Sequence, residues 1–191
     1  MLFRSKNLVP LPKSDNYKIC ADSMHPVEHC KTDGPWGTDT HPDSEWGTPG
    51  TISAFQAVAA GFLEKQNTHN HDLQACHPTP RAPWPLIKAS FNDIALGWGG
   101  LFDNENTWTQ PHKTHGKGQG GDFNHFHETC SSCQACDGSH PNFNAYLWST
   151  LRDAAHPKYG DWDSEVNTNG ELHLHVEDKG QGPPAACPAE N

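Results

Sequence analysis

Positive charge is scarce in this sequence. Its 13 Lys and Arg are outnumbered by 23 Asp and Glu, giving a formal net charge of -10, which argues against nucleic acid or an anionic membrane surface as partner, since both are bound chiefly through cationic side chains. A neutral or cationic partner fits better. Long apolar runs are missing too: no stretch reaches the length needed to cross a bilayer, so no membrane insertion is expected. The opening residues, MLFRSKNLVPLP, lack the apolar centre of a signal peptide. Hydrophobic residues make up only 34% of the chain, which speaks against a long helical bundle.

What is abundant points to loops. Seventeen Gly, 16 Pro and 7 Trp in 191 residues suggest one loop-rich domain held by a few aromatic anchors. The seven cysteines, Cys20, Cys30, Cys76, Cys130, Cys133, Cys136 and Cys187, are spread through polar sequence. That usage fits disulfides in an exported protein, periplasmic or extracellular, with one thiol left over. Spacing does not fix the pairings, although Cys20 with Cys30 would close a local loop. LFRS at the start resembles translated sequencing-adapter sequence, so the chain is expected to be a fragment from which any export signal is missing. Residues up to about Lys6 therefore carry no argument.

Residues 1–49 read as an irregular N-terminal extension, 50–178 as the main domain and 179–191 as a C-terminal arm. Within the extension, Trp36 and Trp46, each followed by Gly, are expected to tie the loop to the domain by burial. A helix is predicted from Ile52 to about Gln66, with Ser53 and Gln56 at capping-box spacing and Ile52, Phe55, Ala59, Phe62 and Leu63 on one face. Asn67 to Pro85 reads as irregular, and its His69, His71 and His77 form a loose group whose spacing is weak evidence for a second metal. Leu86 to Phe91 suggests a strand, followed by Asn92 and Asp93, which suit either a turn cap or a partner that orients a metal-bound histidine. A second helix is predicted over Asn142 to about Ala155, with Phe143, Tyr146, Leu147, Leu151 and Ala154 on its core face, a cap at Ser139 or Asn142, and Pro157 as its stop. Tyr159 to Gly170 reads as a turn-rich connection.

Two clusters carry the chemistry. Pro111 to Asn124, PHKTHGKGQGGDFN, holds His112, His115 and Asp122, while Glu171 to His175, ELHLH, holds His173 and His175. Zinc takes imidazole nitrogen and carboxylate oxygen, and a catalytic site uses three protein ligands with a fourth position for water. Gly116, Gly118, Gly120 and Gly121 would let the chain double back between His115 and Asp122. In the second cluster, Leu172, Leu174 and Val176 alternate with His173 and His175, the period of a half-buried strand with both histidines on one face. His125 and His127 alternate similarly and are rival ligands. Cys130-x2-Cys133-x2-Cys136-x3-His140 is similar to the bacterial ferredoxin run, but the chain clusters too few thiolates for such a cluster. Disulfides fit those cysteines better, with a separate zinc as the alternative.

His112-x2-His115-x6-Asp122 followed by His173-x-His175 resembles the zinc signature of the penicillin-insensitive murein endopeptidases, within the wider group of lysostaphin-type and D-alanyl-D-alanine metallopeptidases. The match covers roughly Asn92 to Glu177, on these motifs alone. It implies His115, Asp122 and His175 as zinc ligands, His112 as a further metal-site histidine, and His173 as the catalytic base or electrostatic helper. The family usually has Ser before the second histidine and Asp two residues after the ligand Asp, where this chain has Thr114 and Asn124. Thr keeps the hydroxyl, whereas Asn removes a charge.

The expectation is an α+β domain in which a small antiparallel sheet carries the metal site, flanked by two main helices and long loops. The expected function is a Zn2+-dependent endopeptidase acting on a peptide or peptidoglycan substrate. Apart from Arg4, Arg81 and Arg152 are the only arginines, which slightly favours an internal amide over a terminal carboxylate. The competing reading is an exported, non-catalytic binding module in which His112 or His173 closes the shell of a structural zinc.

Overall fold

The computed structural model describes residues 8–20, 30–31, 45–76, 81–91, 119–123, 126, 128–155, 163–166 and 172–177, with backbone placement alone at 19–20, 30–31, 163–166 and 172–177. In chain order the elements are β1 (Val9–Pro10), β2 (Tyr17–Cys20), β3 (Cys30–Lys31), β4 (Trp46–Gly47), α1 (Pro49–Ala75), β5 (Ala89–Phe91), β6 (Gly120–Phe123), α2 (Phe143–Ala155), β7 (Asp163–Val166) and β8 (Leu172–Glu177). The α+β class expected from the sequence is the class observed.

Helix α1 starts earlier and runs further than its apolar pattern predicts. Thr48 rather than Ser53 caps it: the Thr48 Oγ1 accepts from the Thr51 amide at 3.2 Å, and Pro49 opens the first turn, where its fixed φ is already helical. The buried stripe begins with Ile52, Phe55, Ala59 and Phe62, then continues through Gln66, Asn70 and Leu73. It changes chemistry without stopping. Gln66 donates to the Ile87 carbonyl and accepts from the Ile87 amide, both at 2.9 Å. Asn70 does the same for Trp84, at 2.9 and 2.8 Å. Two side-chain amides one turn apart thus satisfy the extended segment leading into β5, much as a neighbouring strand would. A hydropathy pattern ends at the first amide, which explains why the helix looks shorter in the sequence.

Helix α2 matches its predicted span closely. Asn142 is its cap, with its Oδ1 accepting from the Ala145 amide at 3.2 Å. Phe143, Leu147, Leu151 and Ala155 are buried, with Tyr146 and Ala154 packed beside them.

The main sheet has six strands in the order β3-β2-β5-β6-β8-β7, and β1 pairs with β4 in a separate two-stranded ribbon. Contrary to the antiparallel expectation, the main sheet is mixed, because β2 and β5 run parallel. A parallel pair needs a crossover of a dozen residues or more, and α1 lies in the connection. The irregular reading of residues 1–49 is revised at Tyr17–Cys20, which sits inside the sheet, and at Cys30–Lys31, on its edge. Strand β2 is only four residues long, too short for a clear alternation.

The core lies between α1 and the sheet. Phe91 and Phe123, register partners on β5 and β6, have ring centroids 4.4 Å apart, and Phe55 of α1 packs on both at 4.9 and 5.2 Å. All three are fully buried, and each such side chain stabilises the fold by roughly 1.5–3 kcal/mol relative to exposure. Tyr17 packs edge-on against Phe91 and donates its hydroxyl to the Pro12 carbonyl. Burial pushes its pKa up to about 12, with Glu45 adding to the rise and a Gln56 hydrogen bond opposing it.

The cysteine-rich run is a cross-linked loop. Cys130 pairs with Cys133, and Cys76, just past α1, pairs with Cys136. The loop turns at Gly138, whose φ of 87° favours glycine. His140 meets the Cys133 carbonyl through Nδ1 at 3.0 Å, and Arg81 donates to the Ala135 carbonyl at 2.8 Å. Cys130, Cys133 and Cys136 are therefore held in disulfides, as expected, rather than as thiolate ligands. Cys20 and Cys30, expected to close a local loop, are register partners on β2 and β3; Cys187 lies outside the described residues. The two disulfides are those of an oxidising environment, and among the described residues no helix is long and apolar enough to cross a membrane.

Candidate metal centre

Strand β6 has one face on the core. Phe123 is fully buried under α1, so Asp122, its neighbour along the strand, belongs to the opposite face. It is partly buried there. The antiparallel register pairs Asp122 with His175, Phe123 with Leu174 and Gly121 with Val176. Opposite positions in such a ladder share a face, with Cβ atoms about 4.5–5.5 Å apart. His175 and, two residues earlier, His173 thus occupy positions on the Asp122 face, while Leu174 and Val176 occupy positions on the core face. This is the alternation expected from ELHLHV.

The register adds residues that sequence reasoning passed over. On the far side of β8, strand β7 pairs Asp163 with His175 and Glu165 with His173. Asp122, His175 and Asp163 therefore form one lateral row across three strands, and His173 with Glu165 starts the next. The segment DWDSEV reads as a connection because its alternating positions are acidic rather than apolar. A hydropathy pattern has no means of detecting a strand whose alternate positions carry carboxylates.

One expectation about the glycines changes. Gly120 and Gly121 are buried strand residues in register with Glu177 and Val176, not part of a hinge before Asp122. Backbone pairing fixes them, and glycine offers no side-chain signal to announce it. Gly116 and Gly118 lie outside the described residues, as do His112, His115, His125, His127, Asn92 and Asp93. Among the described residues, no group of three or more His, Cys, Asp or Glu side chains is close enough to hold an ion. Asp122 and His175 are Cα partners across one ladder.

Two of the loose histidine group, His69 and His71, lie on α1. His69 is enclosed by Trp84 and Tyr146, with ring centroids at 4.5 and 4.6 Å, and its Nε2 is buried without a hydrogen-bond partner. Burial lowers its pKa, against a weaker upward pull from Asp72. His71 is exposed beside Asp72, at 3.7 Å. His77 lies outside the described residues. No protein-family model matches the chain, and no curated protein matches it either.

Proposed function

We propose that the chain is a zinc-dependent hydrolase that cuts a peptide amide bond, in cell-wall peptidoglycan by its resemblance to the murein endopeptidases. The observation that carries this reading is the register of β6 with β8. Two residues 53 positions apart in the sequence, Asp122 and His175, one from each motif, are direct Cα partners, although the motifs were matched by spacing alone.

In this reading His115, Asp122 and His175 hold the ion, with His112 beside them. Zinc, when bound, supplies an activated water at neutral pH and polarises the scissile carbonyl. His173 shares the His175 face of β8, and in this reading it would accept a proton from the attacking water and return it to the departing amine. The partly buried Asp122 would contribute one negative charge to the bound ion, leaving net positive charge to stabilise a developing oxyanion. The two disulfides favour an exported setting, where a peptidoglycan substrate would be met.

The test joins metal analysis to digestion of purified peptidoglycan. About one zinc per chain is expected, lost in Asp122→Ala and His175→Ala, while His173→Ala should retain the metal and lose rate. Release of new amino termini from the wall polymer would support the hydrolase. A protein that keeps its zinc without Asp122, or binds none at all, would sink it. Full zinc occupancy with no cleavage of any peptide would instead favour the non-catalytic binding module.

A further inference from the structure

The two disulfides of the loop after β6 play no part in the proposed zinc chemistry, and they differ in what they hold. Cys76–Cys136 joins residues 60 apart and ties the end of α1 to the loop. Cys130–Cys133 joins residues only three apart. A cross-link restrains the unfolded chain more when it closes a longer loop, so the short one adds little of that kind to the fold. Hydrogen bonds hold the loop independently of it. His140 Nδ1 meets the Cys133 carbonyl at 3.0 Å, Arg81 donates to the Ala135 carbonyl at 2.8 Å, and the Ala135 and Gly138 amides donate to the Ser139 and Ala135 carbonyls at 2.8 and 2.9 Å. Opening Cys130–Cys133 would therefore leave its two sulfurs close together in a standing frame.

The pair is also asymmetric. Cys133 is 1% exposed and belongs to the core, whereas Cys130 is only partly buried and is flanked by the exposed Thr129, Ser131 and Ser132. Approach from solvent is thus to Cys130. The Ser132 Oγ lies 3.9 Å from the Cys130 Sγ, where the hydroxyl can donate to a thiolate formed on that sulfur, and a stabilised thiolate leaves faster in exchange.

We propose that Cys130–Cys133 is a thiol–disulfide exchange site that oxidises a dithiol substrate. One substrate thiolate attacks the Cys130 sulfur, the Cys130–Cys133 bond breaks, and Cys133 leaves as a thiolate that takes up a proton. The second substrate thiol, after losing its proton, attacks the substrate sulfur of this mixed disulfide and expels Cys130, which is protonated in turn. Two electrons and two protons pass to the pair, and the substrate gains a disulfide. Run in reverse, the same steps reoxidise the pair with a disulfide.

Equilibration of the unmutated full-length protein in graded dithiothreitol buffers, with alkylation and peptide mass mapping, tests this. Cys130–Cys133 should open while Cys76–Cys136 stays closed and the circular dichroism is unchanged, with an equilibrium constant for reduction at least about tenfold larger, or about 30 mV. In Cys133→Ala, oxidised glutathione should leave a stable adduct on Cys130, formed more slowly when Ser132→Ala is added; in Cys130→Ala the buried Cys133 should stay unmodified. Replacing Cys130 and Cys133 together by Ala should leave the urea midpoint nearly unchanged, whereas replacing Cys76 and Cys136 should lower it. If the Cys133 variants fail to fold, the order of reduction in the unmutated protein decides. Opening of Cys76–Cys136 at the same or milder ratios, opening of Cys130–Cys133 only as the fold is lost, or an inert Cys130 in folded Cys133→Ala would overturn the assignment. None of these readouts involves zinc.

Discussion

Phe123 and Asp122 are neighbours on one strand, yet the faces to which they belong are built on different principles. Beneath α1, aromatic rings fill the space, and Gln66 and Asn70 meet the Ile87 and Trp84 backbones in reciprocal pairs. Those amides are neutral at every physiological pH, and their bonding serves the fold. Across the sheet, the positions on the Asp122 face of β8 and β7 belong to His173, His175, Asp163 and Glu165, all of them groups that gain or lose charge and bind cations. The difference teaches where to look for chemistry: on the helical side polar groups are matched to backbone, while across the sheet residues with titratable side chains share lateral rows.

The sharpest way to break this division is to truncate each neighbour in turn. Phe123→Ala removes a fully buried ring packed on Phe55 and Phe91, and should cost about 3–5 kcal/mol in chemical denaturation. In the proposed zinc reading, Asp122→Asn should abolish zinc uptake and cost less stability than the loss of the Phe123 ring. Equal destabilisation by the two variants would mean that the Asp122 face is structural as well.

A smaller effect tests the amide layer. Gln66→Leu keeps the bulk but leaves the amide and carbonyl of Ile87 without their partner, and a buried group so orphaned costs roughly 1–3 kcal/mol. The loss should appear in denaturation curves, with zinc uptake by the folded fraction unchanged. If Gln66→Leu proves neutral, packing rather than hydrogen bonding holds the second half of α1.

The same contrast decides how much could be read from the sequence. Helix α2 and strand β8 were legible because apolar residues recur at the helical and strand periods, in Phe143, Leu147 and Leu151 and in Leu172, Leu174 and Val176. The second half of α1 was hidden by Gln66 and Asn70, whose burial depends on a backbone segment 14 to 21 residues away. Strand β7 was hidden because its alternate positions are acidic, and β2 because a four-residue strand offers too few alternations. The pairing of Asp122 with His175 could be suspected from motif likeness, but its register depends on backbone hydrogen bonds that composition does not encode. The cysteine run was ambiguous for a related reason, since the partner of Cys136 is Cys76, 60 residues earlier.

His69 is a titratable group on the helical side, and it offers the subtlest probe of the contrast. Its ring is enclosed by Trp84 and Tyr146, and burial holds its pKa below the ordinary histidine value. The fold therefore prefers the neutral imidazole. Its contribution to stability should be complete above the unfolded-state pKa of about 6.5 and should be lost as pH falls from there through the lower folded value, because the unfolded chain binds the proton more readily. Urea midpoints measured between pH 7.5 and 5 should decline in the native protein and decline less in His69→Phe, with the difference between the two isolating this ring from the other histidines. A variant with an unchanged pH slope would mean that the enclosed ring accepts its proton as easily as a free one. His69 would then belong with the titratable groups across the sheet, and the two regions would differ less than their packing implies.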